Sequence, residues 1–171
     1  MMQQDVPRLI IVMGVSGCGK TTVAQQLAHA LGAYFVEADD FHPPQNIALM
    51  QRGIALTDEQ RAPWIDALCE HILHCQDACV VMAYSGLRRA HRQRFRALGR
   101  QVQFVWLHAP MEHIYQRMQQ RLGHFMPASL LASQFASLEL PHQEPDIVQI
   151  NADAPPARVL EDIYTCIGVI A

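Results

Sequence analysis

The chain is poor in lysine. Of its 13 basic residues, Lys20 is the single lysine and the rest are arginines. With 16 acidic residues the formal net charge is -3, so the chain as a whole is not polycationic. Binding to nucleic acid would therefore require a local basic patch. No apolar run approaches the roughly 18 residues that cross a membrane, and the first residues lack a signal-peptide pattern. We therefore expect neither a nucleic-acid nor a membrane partner.

Paired cysteine motifs are also missing. The five cysteines form no Cys-x-x-Cys pair, their number is odd, and no second pair stands at the spacing of a zinc site. This usage is typical of free thiols in a reducing compartment, which predicts a cytoplasmic protein.

What the sequence does contain is an alternation of short apolar runs with helical patterns, which predicts a three-layer α/β domain with a mostly parallel sheet. We expect one domain over 1–171, an insertion at about 40–76 and a lid segment at about 117–140. Five strands are predicted flanked by helices: Arg8–Met13, Tyr34–Val36, Cys79–Ala83, Val102–Leu107 and Ile147–Ile150.

A phosphate-binding loop follows the first predicted strand and opens a helix. The stretch from Gly14 to Thr21 fits G-x-x-x-x-G-K-[ST] at every fixed position. Glycines let backbone N–H groups surround phosphate oxygens, and the lysine reaches the β- and γ-phosphates. The fold is therefore expected to be that of a P-loop NTPase that binds ATP through Gly14, Val15, Ser16, Gly17, Cys18, Gly19, Lys20, Thr21 and Thr22.

Acidic residues follow the second predicted strand, whose carboxyl end should lie beside the phosphate loop. We assign Asp39 as the base or orienter of an acceptor alcohol. The Thr21 hydroxyl is expected to join Mg²⁺, and Glu37 or Asp40 could serve that ion through water.

The third predicted strand, by contrast, ends in Tyr84 and Ser85 without the usual Walker B aspartate. This absence disfavours the motor and switch classes and favours a small-molecule kinase.

Several further segments resemble the gluconokinase family along nearly the whole chain. Asp39-Asp40-Phe41-His42-Pro43 with Asn46 resembles its Gly-Asp-x-x-His-Pro-x-x-Asn segment, and Leu56-Thr57-Asp58 with Arg61, Pro63 and Trp64 resembles its Leu-x-Asp-x-x-Arg-x-Pro-Trp signature. The run from Gly123 to Pro127, with Ser133-Gln134-Phe135, looks like its lid and the helix after it. Departures include Ala38 for glycine, Leu49 and Arg88 for lysine, Tyr84 for cysteine and Gly86 for alanine.

The resemblance implies transfer of the γ-phosphoryl group of ATP to the 6-hydroxyl of D-gluconate, giving 6-phospho-D-gluconate and ADP. It also implies a requirement for Mg²⁺, a cytoplasmic location and a homodimer.

Arginines and histidines supply the remaining candidates. Arg117 and Arg121 are four apart on one helix face before the Gly123 break, where lid arginines can stabilise charge on the transferred group. With Lys20 and Asp39 they form the expected catalytic set. For the substrate, Arg61, Arg88 and Arg92 are candidates because arginine binds carboxylates in a bidentate manner. His42 and His124 are candidates for contacts with sugar hydroxyls.

Two alternatives remain open. The first is a kinase of similar build that acts on another sugar acid or small metabolite. The second is a nucleotide-gated regulatory protein without catalysis that contacts nucleic acid through the six arginines between Arg88 and Arg100.

Overall fold

The computed structural model describes residues 6–120 and 127–168. The five strands are β1 (Arg8–Met13), β2 (Tyr34–Glu37), β3 (Cys79–Ala83), β4 (Gln101–His108) and β5 (Ile147–Asn151). The helices are α1 (Lys20–Leu31), α2 (Pro44–Gln51), α3 (Asp58–His74), α4 (Arg89–Arg96), α5 (Met111–Gln120), α6 (Leu131–Ser137) and α7 (Pro156–Ile167). Two 3-10 turns precede α2 and α6, at Ala38–Phe41 and Ala128–Leu130.

The five strands form one parallel sheet in the order β2-β3-β1-β4-β5. Strand β1 lies at its centre, and Leu9 to Met13 are buried because both faces are covered. Alternate residues of the central strands point to two separate apolar clusters. One cluster includes residues of α1, α5 and α7, and the other includes residues of α3 and α4. The three-layer α/β architecture with a parallel five-stranded sheet is therefore confirmed.

Local sequence signals set several element ends. The Thr57 hydroxyl accepts from the Gln60 N–H while the Gln60 side chain accepts from the Thr57 N–H, a capping box that starts α3. Gly32 ends α1 in a left-handed conformation, which glycine adopts without a Cβ clash. Both ends can be predicted from the sequence, because each depends on residues no more than four apart.

Two helices differ from the prediction. The sequence pattern predicts a helix over Leu87 to Leu98, but α4 begins at Arg89, because Gly86 has a φ of 63° and Arg88 is extended. The pattern also predicts a helix over Ala128 to Leu138, where a 3-10 turn precedes the shorter α6.

All five cysteines are free, as expected. Within the described ranges, the helices are each too short or too polar to cross a membrane.

Candidate active site

The phosphate loop connects the buried end of β1 to the first turn of α1. A Cβ at Gly14 would lie 2.7 Å from both Cys18 Sγ and Leu107 O, so only glycine fits there with its φ of 146°. The Lys20 ammonium donates to the Val15 carbonyl oxygen at 2.9 Å, which folds the side chain over the loop. The groups expected to contact phosphate, the loop backbone and the Lys20 ammonium, therefore lie together at this loop.

Glu37 lies at the carboxyl end of β2, directly opposite the start of α1. The Thr21 hydroxyl donates to Glu37 Oε2 at 2.5 Å, and the Asp39 N–H donates weakly to Glu37 Oε1 at 3.4 Å. Burial raises the pKa of the Glu37 carboxyl, and the neighbouring Asp39 charge adds to this effect, while the Thr21 hydrogen bond and Lys20 oppose it. A cation placed here would favour the ionised carboxylate.

Thr21 and Glu37 supply hard oxygen donors of the kind that Mg²⁺ prefers. Among the described residues no group of three or more His, Cys, Asp or Glu side chains is arranged as a metal cage. A nucleotide-dependent Mg²⁺ needs no such cage, because phosphate oxygens and water complete its shell. The donor set therefore fits this ion.

A cleft of about 580 Å³ opens beside the phosphate loop. It is bordered by the loop, by the segment from Asp39 to Trp64, by the end of β3 and by α6. Ser16, Lys20 and Asp39 also line the small cavity over the loop glycines, so the two spaces are continuous. The other residues lining the cleft are His42, Met50, Ala55, Leu56, Arg61, Trp64, Ser85, Leu87, Leu130, Ser133 and Gln134.

His42 is a buried residue whose ring stacks on Trp64, with centroids 3.9 Å apart and planes 17° from parallel. Trp64 is held in turn by a 2.7 Å hydrogen bond from its Nε1 to the Ala38 carbonyl. Burial lowers the pKa of His42 to about 4, with Asp39 opposing this shift and Arg61 adding to it. The imidazole is therefore neutral near pH 7.

The three arginines considered for a substrate carboxylate occupy different positions. Arg61 lines the cleft and its guanidinium lies 3.1 Å from Asp58 Oδ1. Arg88 contacts the other oxygen of the same carboxylate at 3.4 Å.

Arg92 is fully buried and is not among the residues that line the cleft. It donates to Glu144, to the Gly86 carbonyl and to the Glu139 carbonyl. These acceptors give Arg92 a structural position instead of one facing a ligand.

Arg117 lies beside the phosphate loop but is not among the residues that line the cleft. It donates to the Ala152 carbonyl and to Asp153 Oδ1, both at 2.9 Å. With Cys18, Val23 and Pro156 it borders a largely apolar groove that runs from the loop to the start of α7. Arg121 and His124 fall outside the described residues.

Some contacts of the site were not predicted. The Ser16 N–H donates to Gln134 Oε1 at 2.6 Å, so α6 reaches the phosphate loop across 118 positions of sequence. Asn46 is buried between His42 and α3. Gln134 and Asn46 lie in segments that resemble the family, but no local pattern indicated the partners of either residue.

Comparison with known proteins identifies the family of this chain. A family model described as an AAA domain matches residues 9–141. A gluconokinase of Gluconobacter oxydans is 43% identical over 92% of this chain and 89% of its own length, and the thermosensitive gluconokinase of Escherichia coli is 42% identical over 88% and 82%. The crystal structure of a gluconokinase from Sinorhizobium meliloti superposes with a TM-score of 0.86 at 38% identity, covering 96% of this chain and 94% of that one. The chain belongs to the gluconokinase family of ATP-dependent P-loop kinases.

Proposed function

We propose that this protein transfers the γ-phosphoryl group of ATP to the 6-hydroxyl of D-gluconate, giving 6-phospho-D-gluconate and ADP. The observation that carries the proposal is the continuity of the cleft with the phosphate loop through Ser16, Lys20 and Asp39. A hydroxyl beside Asp39 would lie next to the terminal phosphate, where positioning supplies much of the rate enhancement. The names of the relatives supply the identity of the acceptor.

Each residue has a role in this proposal that its position supports. Asp39 orients the acceptor hydroxyl and takes its proton, and Lys20 leaves the Val15 carbonyl for the β- and γ-phosphates. Arg117 binds the nucleotide, because it borders the groove beside α1 and α7. Arg121 and His124 stay predictions for the lid, and 40–76 stays the proposed acceptor-binding insertion.

Mg²⁺ is the proposed ion, held by the Thr21 hydroxyl and, through water, by Glu37. It would neutralise charge on the phosphates and help to align them. A cytoplasmic location and a homodimer also belong to the proposal; the free cysteines support the first and the family resemblance the second. A solution mass near 19.2 kDa by light scattering would contradict the dimer.

Arg61 is the guanidinium that we assign to the gluconate carboxylate, since it lines the cleft and Arg92 is engaged elsewhere. We expect Arg61→Ala to raise the KM for gluconate on the order of 10- to 100-fold, the loss of one or two charge-assisted hydrogen bonds. The KM for ATP should change little. Coupled assays of ADP release measure both constants.

The acceptor is tested with the same assay across sugar acids, shikimate and nucleoside monophosphates. Turnover with gluconate at least tenfold above every other acceptor is expected. Arg158→Ala, on α7 and largely exposed, is the matched arginine control and should leave both KM values unchanged. ATP turnover with a different acceptor and none with gluconate would overturn the assignment.

The regulatory alternative predicts salt-sensitive nucleic-acid binding through the arginines around α4. Most of those six arginines are paired with acidic side chains: Arg88 with Asp58, Arg92 with Glu144, Arg94 with Asp66 and Arg96 with Asp146. These pairs favour a structural use of the arginines, and the kinase assignment is preferred.

A further inference from the structure

Asn46 connects three parts of the acceptor side of the cleft. It lies on α2, and its side-chain amide nitrogen donates to the Gln60 carbonyl of α3 at 2.9 Å. The same nitrogen lies 3.4 Å from Nδ1 of His42, at the end of the 3-10 turn that carries Asp39. Asn46 is only 2% exposed, so these contacts are shielded from water.

The chemistry of these partners fixes the position of a proton. A backbone carbonyl can only accept, so the Gln60 contact identifies the nearby Asn46 atom as its NH₂ group. That NH₂ group is a donor, and the His42 Nδ1 facing it must therefore be the acceptor. A neutral imidazole with an unprotonated Nδ1 carries its proton on Nε2.

The ring cannot satisfy Asn46 in its flipped orientation. Stacking on Trp64 fixes the plane of the imidazole, which leaves rotation by half a turn as its main freedom. A flipped ring would turn a carbon toward the Asn46 NH₂ group and remove the acceptor. Trp64 therefore sets the plane, and Asn46 sets the edge that faces the cleft.

The Nε2 atom of His42 lies 3.9 Å from Asp39 Oδ1, too far for a direct hydrogen bond. A ligand oxygen about 2.8 Å from each atom would bridge them. A hydroxyl has the matching set of groups, since it can donate its proton to Asp39 and accept from Nε2–H with one lone pair. The second lone pair stays available to attack phosphorus.

We infer that Asn46 is a positioning residue that holds His42 as the Nε2–H tautomer, so that His42 donates to the same acceptor hydroxyl that Asp39 orients. The inference rests on the proposed function for the identity of that hydroxyl, but the tautomer itself does not depend on the acceptor. His42 is thus a neutral donor beside the base and does not compete with Asp39 for the proton.

The first test needs no substrate. Nitrogen-15 NMR of the labelled wild-type protein at pH 7 should show His42 with a protonated Nε2 and an unprotonated Nδ1, the resonances being assigned by their loss in His42→Gln. A protonated Nδ1, or an imidazolium at this pH, would overturn the inference. The NMR result does not depend on the acceptor. If gluconate is not the acceptor, the substrate panel contradicts the proposed function, and the tautomer of His42 can still be as inferred.

The second test is Asn46→Asp, which keeps the shape of the side chain but can only accept. Near neutral pH it should draw the proton to Nδ1 and lower kcat/KM for gluconate about 2- to 12-fold, the loss of one neutral hydrogen bond. On acidification the imidazole protonates at both nitrogens, so part of the activity should return, a rise that the wild type lacks. The charged groups facing His42 are Asp39, Arg61 and the new carboxylate.

A double-mutant cycle separates positioning from general damage. His42→Gln retains an amide N–H donor and should keep more activity than His42→Leu. In the His42→Gln background, Asn46→Asp should have little further effect on kcat/KM for gluconate. Equal losses from Asn46→Asp in both backgrounds, without the acid-side recovery, would show a merely structural role and overturn the inference.

Discussion

Gly86 illustrates how a single residue shapes the wall of the cleft. Its φ of 63° turns the chain between Ser85 and Leu87, which both line the cleft, and its carbonyl accepts from Arg92 at 2.6 Å. A Cβ at this position would lie 2.9 Å from Met13 Cβ on the central strand. An alanine at this position would therefore be strained in this chain.

We expect Gly86→Ala to lower the free energy of unfolding by about 2–4 kcal/mol, of which about 1–2 kcal/mol comes from the left-handed backbone and the rest from the contact with Met13. Urea unfolding measures the change.

Gly99→Ala is the matched control for this substitution. Gly99 has a φ of 74° but has no atom within 4 Å of an added Cβ. Gly99→Ala should therefore lower the free energy of unfolding only by the cost of the left-handed backbone, about 1–2 kcal/mol. Equal losses at the two positions would contradict the role given to Met13.

At the scale of elements, a buried ion-pair cluster fastens α4 to the segment between α6 and β5. Glu144 accepts from Arg92 and Arg96, and Arg96 also binds Asp146. Burial alone would raise the pKa of Glu144, but the hydrogen bonds from Arg92 and Arg96 outweigh it and hold that pKa below its usual value. Glu144 thus fixes Arg92, which in turn supports the Gly86 turn.

Glu144→Gln should destabilise the protein by about 3–5 kcal/mol at pH 7, because it leaves the buried Arg92 guanidinium without its counter-charge. Since the folded-state pKa of Glu144 is lowered, its contribution is present above the usual carboxyl pKa and is lost as the pH falls through the folded value. The wild-type and variant unfolding curves should therefore converge in acid.

Glu161→Gln is the control for the ion-pair experiment. Glu161 lies 3.9 Å from Arg158 on the exposed side of α7, where pairs contribute about 0–1 kcal/mol. If Glu144→Gln lowers the free energy of unfolding no more than Glu161→Gln does, the structural role of the cluster is contradicted.

The helices, the strands and the phosphate loop could be predicted from the sequence because their signals are local. Strand β1 is a run of apolar residues, and the α3 capping box spans four positions. The positions of Arg92 and Gln134 depend on partners that are 52 and 118 residues away. No pattern within α4 distinguishes Arg92, which is fully buried, from Arg94, whose side chain is half exposed. Tertiary partners that lie far apart in sequence were therefore beyond the prediction.

At the scale of the whole molecule, two separate spaces adjoin the phosphate loop. Arg117 and Pro156 line the groove, and Arg61 and His42 line the cleft. Lys20 and Asp39 line both the cleft and the small cavity over the loop glycines, where the proposed function has the two ligands meet.

Under the proposed function ATP with Mg²⁺ binds the folded chain, so it should stabilise the protein by about 2.7 kcal/mol at 100 times its Kd. For a chain of this length such a change raises the Tm by roughly 5–11 °C. Differential scanning calorimetry measures the shift. Thr21→Val should reduce it, whereas Thr165→Val on the exposed side of α7 should leave it intact; equal shifts in the two variants would contradict the ligand role of Thr21.

The single lysine at the centre of this arrangement also determines how the protein can be handled. Every amine-directed reagent has one side-chain target, and that target lies over the phosphate loop within reach of the Val15 carbonyl. Immobilisation or dye labelling through lysine would therefore block the nucleotide site. Conversely, the fraction of Lys20 that escapes acylation in the presence of ATP counts the occupied sites directly. Cys166, which is exposed, is the safer point of attachment.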